Sequence, residues 1–165
     1  MVFTPSPLRL ALVVEGACQG HAISSCCEWA HCIETGESRL QLSRAMGYYE
    51  PQKIDGIRGD RGSTISGGVK LAMETGICRE QVWPYPSRYN PNPPNPMSEI
   101  KADSRRFKIG SRRRMESYDG VRTFLGSGQG AITIGISWGN EMSKAVVEAF
   151  SGRGGGGHAI SLFSL

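Results

Sequence analysis

Six of the chain's nine prolines fall in one stretch, WPYPSRYNPNPPNP at residues 83–96. Proline lacks a backbone N–H and fixes its φ, so this stretch can be neither a helix nor a central strand. It divides the sequence into halves with different periodicities. Before it, CQGHAISSCCEWAHCIETGE places Cys18, Ala22, Ser25, Trp29 and Cys32 at helical spacing, with Thr35-Gly36 as a stop. LQLSRAMGYYEPQK predicts a second helix with Leu42, Ala45, Met46 and Tyr49 on one side, ended by Pro51. GIRGDRGSTISGG reads as a glycine-rich loop leading to a third helix, VKLAMETG, closed by Gly76. After the prolines the pattern changes. RRFKIGS reads as a strand, SYDGVRTFLGSG as a short helix capped by Ser117, and GAITIGISW as a strand of period two. EMSKAVVEAF is a helix or irregular stretch, and HAISLFSL is a last strand. Helices first and strands later predict an α+β protein of one domain over residues 1–165. A helical lobe is expected over about 16–90, and a β lobe over about 100–165 joined by an N-terminal strand, LRLALVV at 8–14.

Charge and composition narrow the partners. The chain is 39% hydrophobic and 21% charged, which is globular. No apolar run approaches the roughly 18 residues of a spanning helix, so no membrane partner is expected. The N-terminal MVFTPSPLRLALVVEGA has no basic segment before its apolar run and reads as a strand, not a secretory signal. RRFKIGSRRR carries six of the basic residues behind the net charge of +4. Phe107 and Ile109 alternate among those charges, the pattern of a solvated strand–turn edge, and no nucleic-acid partner is expected. Five cysteines is an odd count, and adjacent Cys26 and Cys27 are poor disulfide partners on a helix. This usage favours a reducing, cytoplasmic setting. Cys18, His21, Cys26, Cys27, His31 and Cys32 have the chemistry of zinc ligands, but residues 18, 26 and 27 cannot converge on one ion from a continuous helix. No metal and no cofactor are therefore expected, and Cys26, Cys27 and Cys32 read as small buried residues.

Cys18 is different. It follows Glu15-Gly16-Ala17 and stands at the N-terminus of the first helix, where unpaired N–H groups and the helix dipole favour a thiolate. The two small residues before it leave room for a substrate chain. His158, after the run of four glycines at 154–157, is the only histidine outside the first helix. An imidazole within reach of that thiol would complete an activated nucleophile, as a thiolate–imidazolium pair.

Several stretches together resemble the papain-like (C1) cysteine peptidases, in the style of the shorter bacterial and phage-type members. They are GAC at 16–18, ETG at 34–36, LS at 42–43, GDRGS at 59–63, TGICRE followed by WPY at 75–85, and GGHAI at 156–160. In that family the histidine lies about 130–150 residues after the cysteine, and His158 follows Cys18 by 140. The resemblance implies a two-lobe fold and hydrolysis of peptide bonds in a peptide or protein substrate. It makes Cys18 the nucleophile, His158 the general base and then acid, and the Cys18 N–H part of the oxyanion hole. Gly62 and Ser63 fall where the family binds extended substrate backbone, and Trp138 falls near the cleft.

The sequence departs from the family in two places. Leu12 stands where a glutamine would donate the second oxyanion hydrogen bond, and no asparagine follows His158 to orient its ring, ISWGN at 136–140 preceding it. The strands that close the β lobe in the family are absent after HAISLFSL, which is expected to mark a fragment or early-terminated member with an exposed apolar edge. An alternative register puts Gln19 in the oxyanion hole and Ser25 at the nucleophile. The alternative function is a non-catalytic papain-like binding or regulatory module.

Overall fold

The computed structural model describes residues 16–138 and 156–164. The expected strand at 8–14, Leu12 and the stretch 141–150 lie outside the described residues. In chain order the elements are α1 (Cys18–Thr35), α2 (Arg44–Asp55), α3 (Ile65–Glu74), α4 (Met97–Ser104), a 3-10 turn (Arg105–Phe107), α5 (Tyr118–Gly126), β1 (Ala131–Trp138) and β2 (Gly156–Phe163). The two strands pair antiparallel, Ala131 opposite Phe163 and Trp138 opposite Gly156. The α+β class read from the sequence is the class observed. No helix among the described residues is long and apolar enough to cross a membrane.

α1 ends where Gly36 turns left-handed and returns its N–H to the Cys32 carbonyl. Its buried residues are Gln19, Gly20, Ala22, Ile23, Ser24 and Cys27, a broader face than the expected Cys18–Ala22–Ser25–Trp29–Cys32 stripe. The reason is that α1 is covered twice, by α2 and α3 on one side and by the strands on another. α1 and α2 approach through Gly20 and Gly47: a Cβ on Gly20 would stand 2.8 Å from the Tyr48 backbone nitrogen. Glu28 of α1 closes this contact, its carboxylate accepting from the Leu42 N–H at 2.6 Å and from the Arg44 guanidinium.

Three expectations are corrected. Pro51 does not end α2, which runs on to Asp55 and is capped by left-handed Gly56. Its last turn is anchored by Gln52, 3% exposed, whose amide reaches two carbonyls of the following loop. α3 begins at Ile65, inside the stretch read as loop, because Thr64 caps it by accepting from the Gly67 N–H while Asp55 holds Thr64 in place. RRFKIGS is not a strand: residues 105–107 tighten into a 3-10 turn after α4, burying Phe107, and Ile109 bonds the Ala72 carbonyl at 3.1 Å. Alternating apolar residues made no strand there because no partner strand lies alongside among the described residues.

The proline-rich segment belongs to the core. Trp83 is 1% exposed and stacks on Tyr49 of α2 with ring centroids 6.1 Å apart. Tyr89 meets Tyr49 edge-on at 5.4 Å, and the Asn90 N–H donates to the Tyr49 hydroxyl at 3.0 Å. Six prolines remove six donors from this stretch, and side-chain bonds hold it at two further points: the Tyr85 N–H donates to Glu80 and the Asn95 amide to the Val82 carbonyl, each at 2.7 Å.

Candidate active site

Cys18 is the first residue of α1. The helix starts on Ala17 with no side-chain cap and no acidic residue in its first turn. The first N–H groups of α1 therefore carry the positive end of the helix dipole without side-chain compensation, the setting that stabilises an anion. Ser25 lies two turns further in, where the helix consumes the backbone N–H, so it has no comparable donor set.

The residues flanking Cys18 are bonded to one loop. Gly16 donates its N–H to Asp60 Oδ1 at 3.2 Å. Tyr48 donates its hydroxyl to the same oxygen at 2.6 Å, and the Gly62 N–H donates to that hydroxyl at 3.3 Å. Gly16 has no room for a side chain, since a Cβ there would lie 2.5 Å from the Gly62 nitrogen. On the other flank, Gln19 is 2% exposed and its Oε1 accepts a short hydrogen bond from the Ser63 hydroxyl. The Gln19 amide nitrogen is buried against Gly68 without a partner among the described residues, so the Gln19 side chain faces inward.

Gly62 and Ser63 differ in what they offer. Gly62 turns left-handed, with φ of 83°. Its N–H is taken by Tyr48 and its carbonyl by the Gln52 amide at 2.9 Å. The main-chain N–H and carbonyl of Ser63 make no such bond among the described residues. Tyr48, Asp60 and Gln52 were not singled out from the sequence, and Gln19 entered only as the oxyanion donor of the alternative register. Tyr48 and Gln52 sat inside a stretch read as an amphipathic helix, and only the GDRG loop carried a signal at Asp60.

His158 lies on β2 opposite Ile136, half-buried, and burial pushes its ring pKa down. β2 packs against α1. Phe163 meets Trp29 with centroids 5.3 Å apart, and the Ser161 hydroxyl donates to the Ala22 carbonyl at 2.9 Å. Going back along the strand thus moves toward the N-terminal end of the helix. Trp138 ends β1 opposite Gly156. On the far part of α1, Cys26 Sγ lies 3.0 Å from Thr133 Oγ1; Cys27 is buried as expected, but Cys26 and Cys32 are only half-buried. No group of three His, Cys, Asp or Glu among the described residues is placed to hold a metal ion.

This arrangement has the fold of the papain-like cysteine proteases. Xylellain, a cysteine protease from Xylella fastidiosa, matches with a TM-score of 0.73 and 20% identity, over 90% of this chain. The Carica candamarcensis cysteine protease CMS1MS2, solved in complex with E-64, matches with a TM-score of 0.59 and 18% identity, over 80% of this chain. The chain spans 64% of the length of the first and 57% of the second. No protein-family model and no curated protein sequence matches the chain.

Proposed function

We propose that the protein is a cysteine peptidase of papain-like, bacterial or phage-type character, with Cys18 as nucleophile and His158 as general base and then acid. A helical lobe and a β lobe, divided near the proline-rich segment, form the two walls of its cleft. The observation that carries the reading is the run of β2 along α1. Phe163 sits at Trp29 and Ser161 at Ala22. A strand advances about 3.3 Å per residue and a helix 1.5 Å, so continuing back to His158 leads to the Cys18 end of the helix. His158 takes the thiol proton to give a thiolate–imidazolium pair, the thiolate attacks the scissile carbonyl, and the imidazolium gives its proton to the leaving amine. Water, deprotonated by His158, then releases the acyl group from Cys18. The uncapped N–H groups at Cys18 receive the developing oxyanion. Substrate backbone lies extended along Gly62–Ser63, with Ser63 supplying the open main-chain groups, and Trp138 lies beside the cleft.

Leu12 cannot donate a second oxyanion hydrogen bond, and loss of one such donor costs about 10²–10³ in rate. Turnover is accordingly expected to be slow while the thiol stays reactive. That same leucine favours a second reading, a papain-like module without catalysis. The two part on a thiol-directed peptidyl epoxide followed by mass mapping, with peptide hydrolysis followed in parallel. Labelling confined to Cys18, lost in Cys18→Ala and strongly slowed in His158→Ala, is the result expected of the peptidase. Absence of both labelling and cleavage would leave the non-catalytic module.

A further inference from the structure

The nucleophile turn and the substrate segment come from distant parts of the sequence, yet they are joined through a single carboxylate oxygen. Asp60 Oδ1 accepts from the Gly16 N–H at 3.2 Å and from the Tyr48 hydroxyl at 2.6 Å. The Tyr48 oxygen in turn accepts from the Gly62 N–H at 3.3 Å. Tyr48 is fixed: its residue is 0% exposed and its ring lies against Tyr49, centroids 5.1 Å apart. Burial and the Asp60 carboxylate both push the phenol pKa up, so it stays a proton donor across the physiological range. Asp60, by contrast, is exposed. A hydrogen bond to an ionised acceptor is stronger and shorter than a neutral one, which suits a surface residue that must order a backbone turn. Gly16 completes the fit, because a Cβ there would collide with Gly62, Tyr48 and Asp60 at once.

We propose that Asp60 is a positioning residue: with Tyr48 it clamps the Gly16–Ala17 turn that carries Cys18 against the Gly62–Ser63 segment. The clamp sets the spacing between sulfur and bound substrate backbone. It contributes to reaction with a peptide, which must engage both elements, and not to the intrinsic reactivity of the thiol. Its catalytic meaning rests on the peptidase reading of Cys18.

The test uses the full chain and three variants, Asp60→Ala, Asp60→Asn and Tyr48→Phe, with two labelling reagents. Iodoacetamide reads the thiol alone, and a peptidyl epoxide reads thiol and substrate segment together. Misplacement of reacting groups by about 1 Å can cost 10²-fold. Asp60→Ala and Tyr48→Phe are therefore expected to slow epoxide labelling of Cys18 by about tenfold or more while iodoacetamide labelling changes less than about twofold. Asp60→Asn keeps an acceptor oxygen and is expected to recover most of the loss. Equal slowing with both reagents would mean a merely structural role and would overturn the proposal, as would unchanged epoxide labelling in Asp60→Ala. Amide hydrogen exchange at Gly16 and Gly62 gives a readout that needs no activity, and is expected to speed up in Asp60→Ala. If the wild-type chain takes no epoxide at Cys18, the peptidase reading fails. The clamp is then judged by exchange alone, and unchanged protection at Gly16 would overturn it.

Discussion

Of the five cysteines, Cys26, Cys27 and Cys78 are each driven upward by burial, Cys78 to about 12. A buried thiol is a poor source of thiolate whatever its neighbours. Cys18 stands instead at an uncapped helix N-terminus and is half-buried. Limiting iodoacetamide at mildly acidic pH is therefore expected to modify Cys18 first, with peptide mapping as the readout. Preferential modification of Cys26, Cys27 or Cys78 would contradict the assignment. The place of Cys18 at a helix start was legible in the sequence because a helix start and the two small residues before it are local features. Its supports were not. Gln19, Tyr48 and Asp60 act through contacts 44, 12 and 44 residues apart in sequence, and nothing in a helical stripe announces a side chain that bonds across such distances.

The elements follow the same division between local and distant causes. α1 was readable in extent because Gly36 supplies a left-handed stop, and α5 because Ser117 accepts from the Gly120 N–H at 3.0 Å. The inner face of α1 was not readable, since two layers cover it and a single stripe cannot describe that. Pro51 misled for a related reason: the cost of an interior proline, about 3 kcal/mol in isolation, is offset here by the buried anchor at Gln52. Two predictions belong to α1. Glu28 and Arg44 have side chains only 11% and 15% exposed, so Glu28→Gln leaves a nearly buried guanidinium without its counter-charge. That is expected to cost about 3 kcal/mol in urea unfolding, and a loss below about 1 kcal/mol would mean that water repairs the site. His21 packs edge-on against Tyr85 at 5.0 Å, and burial together with the Arg44 charge lowers its pKa from 6.5 to about 4. The unfolded chain binds a proton near 6.5 that the folded chain refuses until about 4. Stability from this group is thus complete above 6.5 and lost as pH falls toward 4, by roughly 2–3 kcal/mol. Tm followed by circular dichroism should fall more steeply over that window in wild type than in His21→Gln, and parallel slopes would contradict it.

At the scale of the whole molecule, the proposed function rests on one seam, where the strands lie along α1. The Ser161 hydroxyl bonds the Ala22 carbonyl, Cys26 meets Thr133, and Phe163 meets Trp29. Successive side chains of a strand point to opposite faces, so Ala159, which shares parity with Ser161 and Phe163, points at the helix and is 8% exposed, while His158 beside it stands on the other face of the strand and moves with it. A small residue there lets β2 approach α1 beside His158. Ala159→Leu would overfill that point, at a cost of about 1–3 kcal/mol. The helices have their own core cluster around Trp83, Tyr48, Tyr49, Leu42 and Met46, which does not include Ala159. The variant is expected to keep its helical circular dichroism while peptidyl-epoxide labelling of Cys18 falls by about tenfold or more, as displacement of the imidazole from the thiol requires. Ala159→Gly, which adds no bulk, should label at close to the wild-type rate. Undiminished labelling of a folded Ala159→Leu chain would mean that the approach of β2 to α1 does not set the Cys18–His158 pair.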